Sequence, residues 1–306
     1  NLFLVGSSFI TSTGTHLMTA QRISNSFPEQ TTCESIDQNS RNVVQKQQLS
    51  PDGVITRHPC PWNRKALASA ADRLVEFLGD PPLRICDPYC GVGRVHELRE
   101  CGFVTVGGEL ESEWAAMSEY TVVADALHFP ADDGAFDAVC TSPAWGSRMA
   151  DHHEAKERCS VCGGSGEVKI RSEVAAGPFY DTCEKCDGTG YRDHFRNTYR
   201  HALGRMPSVG SSATMQFGTA YRRHHRDWLV EAMRLVRPSG LIVVNVGNFI
   251  RKGVEVDVVG WWLGAMVGEG LLVRAVDRVP AAKLRVGANR DLRVDGEINI
   301  VCEVRA

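Results

Sequence analysis

Leu83-Arg84-Ile85-Cys86-Asp87-Pro88-Tyr89-Cys90-Gly91-Val92-Gly93 is the stretch whose reading decides the fold. Residues 83–86 form a short apolar run that reads as a buried strand, with Asp87 at its end. Residues 87–93 then turn into a helix expected over 94–100. A strand, an acid and a glycine-bearing turn into a helix form a nucleotide-binding arrangement. The glycines let the backbone approach a ligand, and an acid after the next strand can hold ribose hydroxyls. That acid is Glu109, 22 residues after Asp87, following a strand expected over 103–106. With only Gly91 and Gly93 present, the turn is not the dinucleotide fingerprint.

Outward from this turn the rhythm continues in both directions. Upstream, Leu67, Ala70, Ala71, Leu74, Val75 and Leu78 make one helical stripe over 64–78, with Asn63 as its cap. Downstream come a helix over 111–119, a strand at Val122 and Val123 ending at Asp125, and a strand over 136–140. Alternating strands and helices predict an α/β fold with a parallel, doubly wound sheet. The rhythm breaks after Trp145. It resumes with a helix from about His225 to 236, a strand over 241–246, a helix over 258–267, and strands over 271–279 and 298–304. The expected organisation is therefore one domain from 51–150 and 220–306, carrying a small insert, 151–219, after the fourth strand. Residues 18–50 are too polar to offset their ordering entropy, so 1–50 is expected to be mostly disordered. Residues 1–17 read as a fragment edge or upstream read-through ahead of Met18, and they lack the basic leader of a secretory signal.

At 306 residues and 43% hydrophobic, the chain can bury one large core, and no apolar run reaches bilayer length. No membrane partner is expected. A net charge of −3 gives no global argument for nucleic acid. From Arg192 to Arg226, however, seven arginines and four histidines face a single acid, Asp193, with Phe195, Tyr199, Phe217 and Tyr221 interleaved. Such a stretch can neutralise phosphates and offer stacking faces.

Eleven cysteines are present, seven of them scattered and four regularly spaced. Cys159-x-x-Cys162-x-Gly164-x-Gly166 and Cys183-x-x-Cys186-x-Gly188-x-Gly190 are two copies of one knuckle. Two-residue spacing lets both thiolates face one ion, and two knuckles complete a closed, structural Zn2+ site. The scattered cysteines read as reduced, buried thiols, which suits a reducing cytosol, and the expected location is a cytoplasm of bacterial or phage type. The knuckles resemble the cysteine-rich region of DnaJ-type co-chaperones, the only such likeness in the chain.

Asp87-Pro88-Tyr89-Cys90-Gly91-x-Gly93, followed by Thr141-Ser142-Pro143-Ala144-Trp145 at the fourth strand's end, resembles the motifs of amino-methylating DNA methyltransferases. The resemblance covers roughly 54–145 and 220–306. It implies a seven-stranded, Rossmann-like class I methyltransferase sheet and S-adenosylmethionine as methyl donor. It also implies DNA as partner, with cytosine N4 favoured over adenine N6. His58-Pro59-Cys60-Pro61-Trp62 is similar to the segment preceding the cofactor turn in relatives of this motif order. Carried over by position, His58, Asp87, Tyr89, Cys90, Gly91 and Gly93 would surround the methionine part. Glu109 would hold the ribose, and Asp125 with Ala126 would meet the adenine. This chain departs from the family at Ala144, where a second proline is usual, and at Val92 and Arg94, where small hydroxyl residues are frequent.

Ser142, Pro143 and Trp145 carry the expected catalysis. An exocyclic aromatic amine is a poor nucleophile because its lone pair is delocalised. Acceptors held at fixed angles on its hydrogens, here Ser142 Oγ and the Pro143 carbonyl, favour the pyramidal form. Trp145 would stack on a base swung out of its helix. A ring-carbon methyltransferase would need a Pro-Cys pair on this loop, whereas Pro59-Cys60 lies before the cofactor strand. RNA as substrate, or a non-catalytic nucleic-acid-binding scaffold, are the alternative readings. The insert, beside the arginines, is expected to recognise the target.

Overall fold

The computed structural model describes residue 58 and residues 61–147, 156–170, 179–193, 199–280, 294 and 296–305. The N-terminal region expected to be disordered, 1–50, lies outside the described residues. A seven-stranded sheet runs through the molecule. It is built from β1 (Arg84–Asp87), β2 (Val104–Glu109), β3 (Thr121–Val123), β4 (Phe136–Thr141), β9 (Val236–Val246), β12 (Leu272–Val279) and β13 (Glu297–Glu303). Across the sheet the order is β3-β2-β1-β4-β9-β13-β12. The first five are mutually parallel, and β13 is antiparallel to both β9 and β12. Counted along the chain, this is 3-2-1-4-5-7-6 with the seventh strand reversed, a seven-stranded Rossmann-like sheet as the motif resemblance implies. The strand order reverses between β1 and β4, and an open α/β sheet offers its ligand crevice there, beyond the strands' carboxyl ends.

Both faces are covered. Helix α1 (Arg64–Leu78) is capped by the Asn63 side chain accepting from Lys65 N–H, and it lays Leu67, Ala70, Ala71 and Leu74 on one face. Helices α4 (Thr219–Leu235) and α5 (Val258–Gly268) cover the other with Trp228, Leu229, Trp262 and Met266. The central strands bury both of their faces, which is why they read as near-continuous apolar runs. A short hairpin, β10 (Phe249–Arg251) with β11 (Val254–Val256), links β9 to α5.

Four expectations are corrected. Residues Arg94–Cys101 form a 3-10 helix, closed at each end by a left-handed glycine, Gly93 and Gly102. The helix expected over 111–119 is a single turn, α2 (Ser112–Ala115). Ser118 Oγ accepts from Tyr120 N–H and turns the chain into β3, a local bond that competes with helix continuation. Helix α4 begins at Thr219 rather than near His225, so His224 and His225 sit within it. Of the scattered cysteines, Cys101 is disulfide-bonded rather than a free thiol, while Cys86, Cys90, Cys140 and Cys302 are free and buried. Among the described residues, no helix is long and apolar enough to cross a membrane.

The insert holds two small antiparallel ladders. One pairs β5 (Lys156–Arg158) with β8 (Tyr191–Asp193); the other pairs β6 (Glu167–Ile170) with β7 (Phe179–Thr182). The chain after it, including α3 (Tyr199–Leu203), returns to the main domain, where Tyr199, Leu203 and Ala213 pack with Trp114.

Candidate functional site

The Asp87 turn is held from beneath. The buried Asp87 carboxylate accepts from Thr141 Oγ1 at 2.6 Å and from Tyr89 N–H at 3.1 Å, tying β1 to the last residue of β4. Burial raises its pKa to about 7 against the pull of those two donors. Gly91 and Gly93 are both left-handed, at φ 55° and 80°. A Cβ on Gly91 would lie 3.1 Å from the His58 ring, so glycine both accommodates the left-handed turn and lets that ring pack against it without displacement. Cys90 turns inward, its Sγ 3.6 Å from Thr121 Oγ1 and packed under Gly107, whose Cβ would collide with it at 2.4 Å. Its side chain is therefore a packing element, and only its backbone can contribute to a ligand site.

Glu109 closes the turn. Its two oxygens accept from Gly91 N–H and Glu111 N–H, each at 2.9 Å. Burial raises this carboxyl to about 7, partly offset by those N–H donors. The neighbouring Glu111 is buried and takes Ser208 N–H and Oγ–H together with an ion pair to Arg205 at 2.9 Å.

Two cavities open along the carboxyl edge of the sheet. The first is lined by His58, Tyr89, Glu109, Asp125 and Ala126, and on its far side by Trp114, Ser211 and His224. The second is lined by Trp62, Asn63, Pro143, Trp145 and Glu297. Ser142, Ala144 and Tyr199 border both. The first cavity gathers five of the nine residues carried over for the cofactor. Asp87, Cys90, Gly91 and Gly93 do not line it; they shape the turn behind it.

The loop after β4 is fixed by its neighbours. Gly146 carbonyl accepts from Phe217 N–H at 2.9 Å and from Arg251 at 3.0 Å. The Trp145 ring lies against Gly247, where a Cβ would come within 2.9 Å of it. Ser142 Oγ–H donates to Asn245 Oδ1 at 3.1 Å, Asn245 donates to Asn299 Oδ1 at 2.9 Å, and Asn299 donates to the Ala66 carbonyl at 2.8 Å. This relay spans β4, β9, β13 and α1. It commits the serine hydrogen and leaves the oxygen's lone pairs as acceptors.

Sequence reasoning missed the far wall of the first cavity. His224 Nε2 lies 2.8 Å from Tyr89 Oη, and burial lowers the histidine's pKa. His225 is fully buried and depressed to about 3. The basic stretch is accordingly less uniform than its composition. Tyr221 is buried with its hydroxyl accepting from Trp262 Nε1, so it offers no stacking face. Arg205 is paired with Glu111 and Glu113. Arg222, Arg223 and Arg226 are exposed on α4, with Arg222 over the Phe217 ring. No apolar periodicity distinguishes these roles, because a helix through this stretch buries every third or fourth residue whatever its charge.

The four clustered cysteines converge. Cys159 and Cys183 sulfurs are 3.8 Å apart, those of Cys162 and Cys186 3.7 Å, and all four lie within 4.8 Å of one another. A tetrahedron with Zn–S bonds of about 2.3 Å has edges of roughly 3.8 Å, so the donor set fits a zinc ion in both chemistry and spacing. Cys159 N–H donates to Gly190 carbonyl and Cys183 N–H to Gly166 carbonyl, locking each knuckle to the other. Burial pushes the Cys186 thiol up to about 11, and a bound cation would favour its thiolate.

No family model and no curated protein matches the sequence. Among solved structures, the chain is similar to a 1,6-didemethyltoxoflavin-N1-methyltransferase of Burkholderia thailandensis with bound S-adenosylhomocysteine. It is 12% identical, covering 79% of each chain, with a TM-score of 0.39. An S-adenosylmethionine-dependent methyltransferase of Listeria monocytogenes is 10% identical over 80% of this chain and 100% of that one, with a TM-score of 0.40. One from Methanosarcina mazei is 9% identical over 77% and 97%, with a TM-score of 0.42.

Proposed function

We propose that this protein transfers a methyl group from S-adenosylmethionine to an exocyclic amino group of a DNA base, cytosine N4 in preference to adenine N6. The observation that carries the reading is the position of Ser142 and Ala144 on the border of both cavities. A methyl donor in the first cavity and an amine in the second would meet at this loop. The first cavity suits the donor: Glu109 keeps lone pairs for a diol, Asp125 is exposed at its rim, and the left-handed glycines shape the turn behind it. S-adenosylmethionine, when bound, supplies an electrophilic methyl on a cationic sulfur, and a cavity bordered by carboxylates complements that charge.

The chain's own residues do the rest. Ser142 Oγ, with its hydrogen committed to Asn245, accepts from the target amine, and the Pro143 carbonyl offers a second acceptor. Trp145, fixed against Gly247, is the face on which the base would rest. The cysteine insert would hold one structural zinc, and both it and the exposed arginines of α4 would contribute to target binding.

The test is incubation with labelled S-adenosylmethionine and duplex DNA, single-stranded DNA or tRNA, followed by digestion to nucleosides. Label in N4-methylcytosine or N6-methyladenine supports the proposal and names the base. Label in tRNA alone moves the substrate to RNA, and donor binding without transfer leaves a non-catalytic scaffold. Ser142→Ala combined with Trp145→Ala is expected to slow transfer about 100-fold or more through lost positioning; full activity would refute the roles of both residues.

A further inference from the structure

The second cavity contains an acidic side chain, Glu297, that forms no ion pair among the described residues. Glu297 opens β13, opposite Val279 of β12 and next to the residue that pairs with Val246 of β9. It lines the cavity with Asn63, Ser142 and Trp145. Its Oε2 is buried and has no hydrogen-bond partner among the described residues. Folded proteins rarely leave a buried carboxylate oxygen unpaired, because its lost hydration is not repaid. Trp62, lining the same cavity, has a buried indole N–H that is also without a partner among the described residues. Two residues that line this chamber, Glu297 and Trp62, therefore each carry a buried polar atom without a partner among the described residues, an acceptor and a donor; the other described polar side chains of the lining are Asn63, Ser142, Trp145, Ser147 and Tyr199. Tyr199 is the only other titratable group among these, and none of the others is charged.

This pattern matches the edge of an aminated heteroaromatic ring, in which an NH2 donor stands beside a ring-nitrogen acceptor. Cytosine and adenine both carry that edge; uracil and hypoxanthine carry the reverse, a carbonyl beside an N–H. We propose that Glu297 is a substrate-facing residue whose Oε2, in place of the Pro143 carbonyl, accepts the amine hydrogen that Ser142 Oγ does not, and then takes the proton that the amine must lose.

The inference rests on the amino-methylation reading above. As the nitrogen lone pair forms the N–C bond, the C–S bond breaks and its electron pair leaves on sulfur. The nitrogen then holds one hydrogen too many. Its N–H bond breaks, the pair returns to nitrogen, and the proton passes to Glu297, to be released to water with the product. Ser142 is poorly suited to take that proton, since its own hydrogen is already committed to Asn245 and a serine oxygen is a far weaker base than a carboxylate. Burial raises the Glu297 pKa and the amides of Asn63 and Asn245 hold it down. A carboxyl raised in this way is a better proton acceptor near neutrality than an exposed glutamate.

The experiment uses the whole protein saturated with S-adenosylhomocysteine, and calorimetry with deoxycytidine against deoxyuridine and deoxyadenosine against deoxyinosine. Wild type is expected to prefer one amino nucleoside over its carbonyl counterpart by roughly tenfold or more. Glu297→Gln, which keeps the volume but can present either its oxygen or its NH2, is expected to erase that preference. In the DNA assay it is expected to transfer methyl roughly 100-fold more slowly and to lose the acid limb of the pH–rate profile. Glu297→Asp, which keeps the charge, should restore part of both, and serves if the glutamine variant does not fold. Wild-type discrimination retained in Glu297→Gln overturns the proposal, as does a wild type that binds neither nucleoside of either pair. DNA methylation by wild type with an equally active Glu297→Gln overturns it while sparing the amino-methyltransferase reading. Discrimination lost in the variant, with no transfer to any nucleic acid, leaves the amine contact standing and refutes the DNA reading alone.

Discussion

Asp87→Asn gives a sharp test of how the β1 turn is built. Asp87 is 2% exposed, its carboxylate held by the Thr141 hydroxyl and the Tyr89 N–H, and burial raises its pKa from 3.8 to about 7. The folded protein therefore binds this proton more tightly than the unfolded chain. Stability from this group is fully present below about pH 3.8 and is lost as pH rises through about 7. The rise from 3.8 to about 7 corresponds to about 4 kcal/mol at full ionisation. Integrating the two titrations, about 2 kcal/mol of that loss falls between pH 5.5 and pH 8. Asparagine keeps the shape and one acceptor oxygen but cannot ionise, so the variant lacks this increment. Urea unfolding of both proteins at the two pH values reads it directly: wild type should lose about 2 kcal/mol more than Asp87→Asn on going to pH 8. Glu109 titrates in both proteins and largely cancels in the comparison. Equal pH slopes in the two proteins would refute the claim that a buried, ionisable carboxyl carries the turn.

Two further outcomes follow from other parts of the molecule. Purified protein should carry one zinc per chain, and Cys183→Ser should lose it, opening the β5–β8 insert to proteolysis while S-adenosylhomocysteine affinity is unchanged. Metal analysis and limited digestion read both, and unchanged DNA affinity in this variant would remove the insert from target recognition. Asn299→Leu strands the Asn245 amide and the Ala66 carbonyl in the core, costing about 2–5 kcal/mol in urea unfolding, and frees the Ser142 hydroxyl to rotate, which should slow transfer without weakening S-adenosylhomocysteine binding.

Much of the cofactor side was legible because its signals are local. A strand that must be buried on both faces has to be apolar, a left-handed turn favours glycine, and an acid at a strand's end marks the crevice. Asp87, Gly91, Gly93 and Glu109 follow from those rules, and the two cysteine knuckles follow from ligand spacing alone. Cys90 was legible only as a position in the motif; which way its sulfur points depends on Gly107, on the neighbouring strand. The basic stretch misled for a related reason. Composition counts charge, but α4 buries His224, His225 and Tyr221 while leaving Arg222, Arg223 and Arg226 in water.

The sequence by itself determined the alternation of strands and helices, the spacing within each cysteine knuckle and the place of the loop at the end of β4, since each depends on residues within a turn or a strand of one another. The tertiary structure alone decided what surrounds that loop. The relay from Ser142 through Asn245 and Asn299 to Ala66 joins residues more than two hundred positions apart in the chain, and Glu297 reaches the same chamber only because β13 runs antiparallel and starts where β4 and β9 end. No periodicity encodes such a meeting: a polar residue in a strand reads the same whether it faces solvent or a buried neighbour, and only packing distinguishes the two.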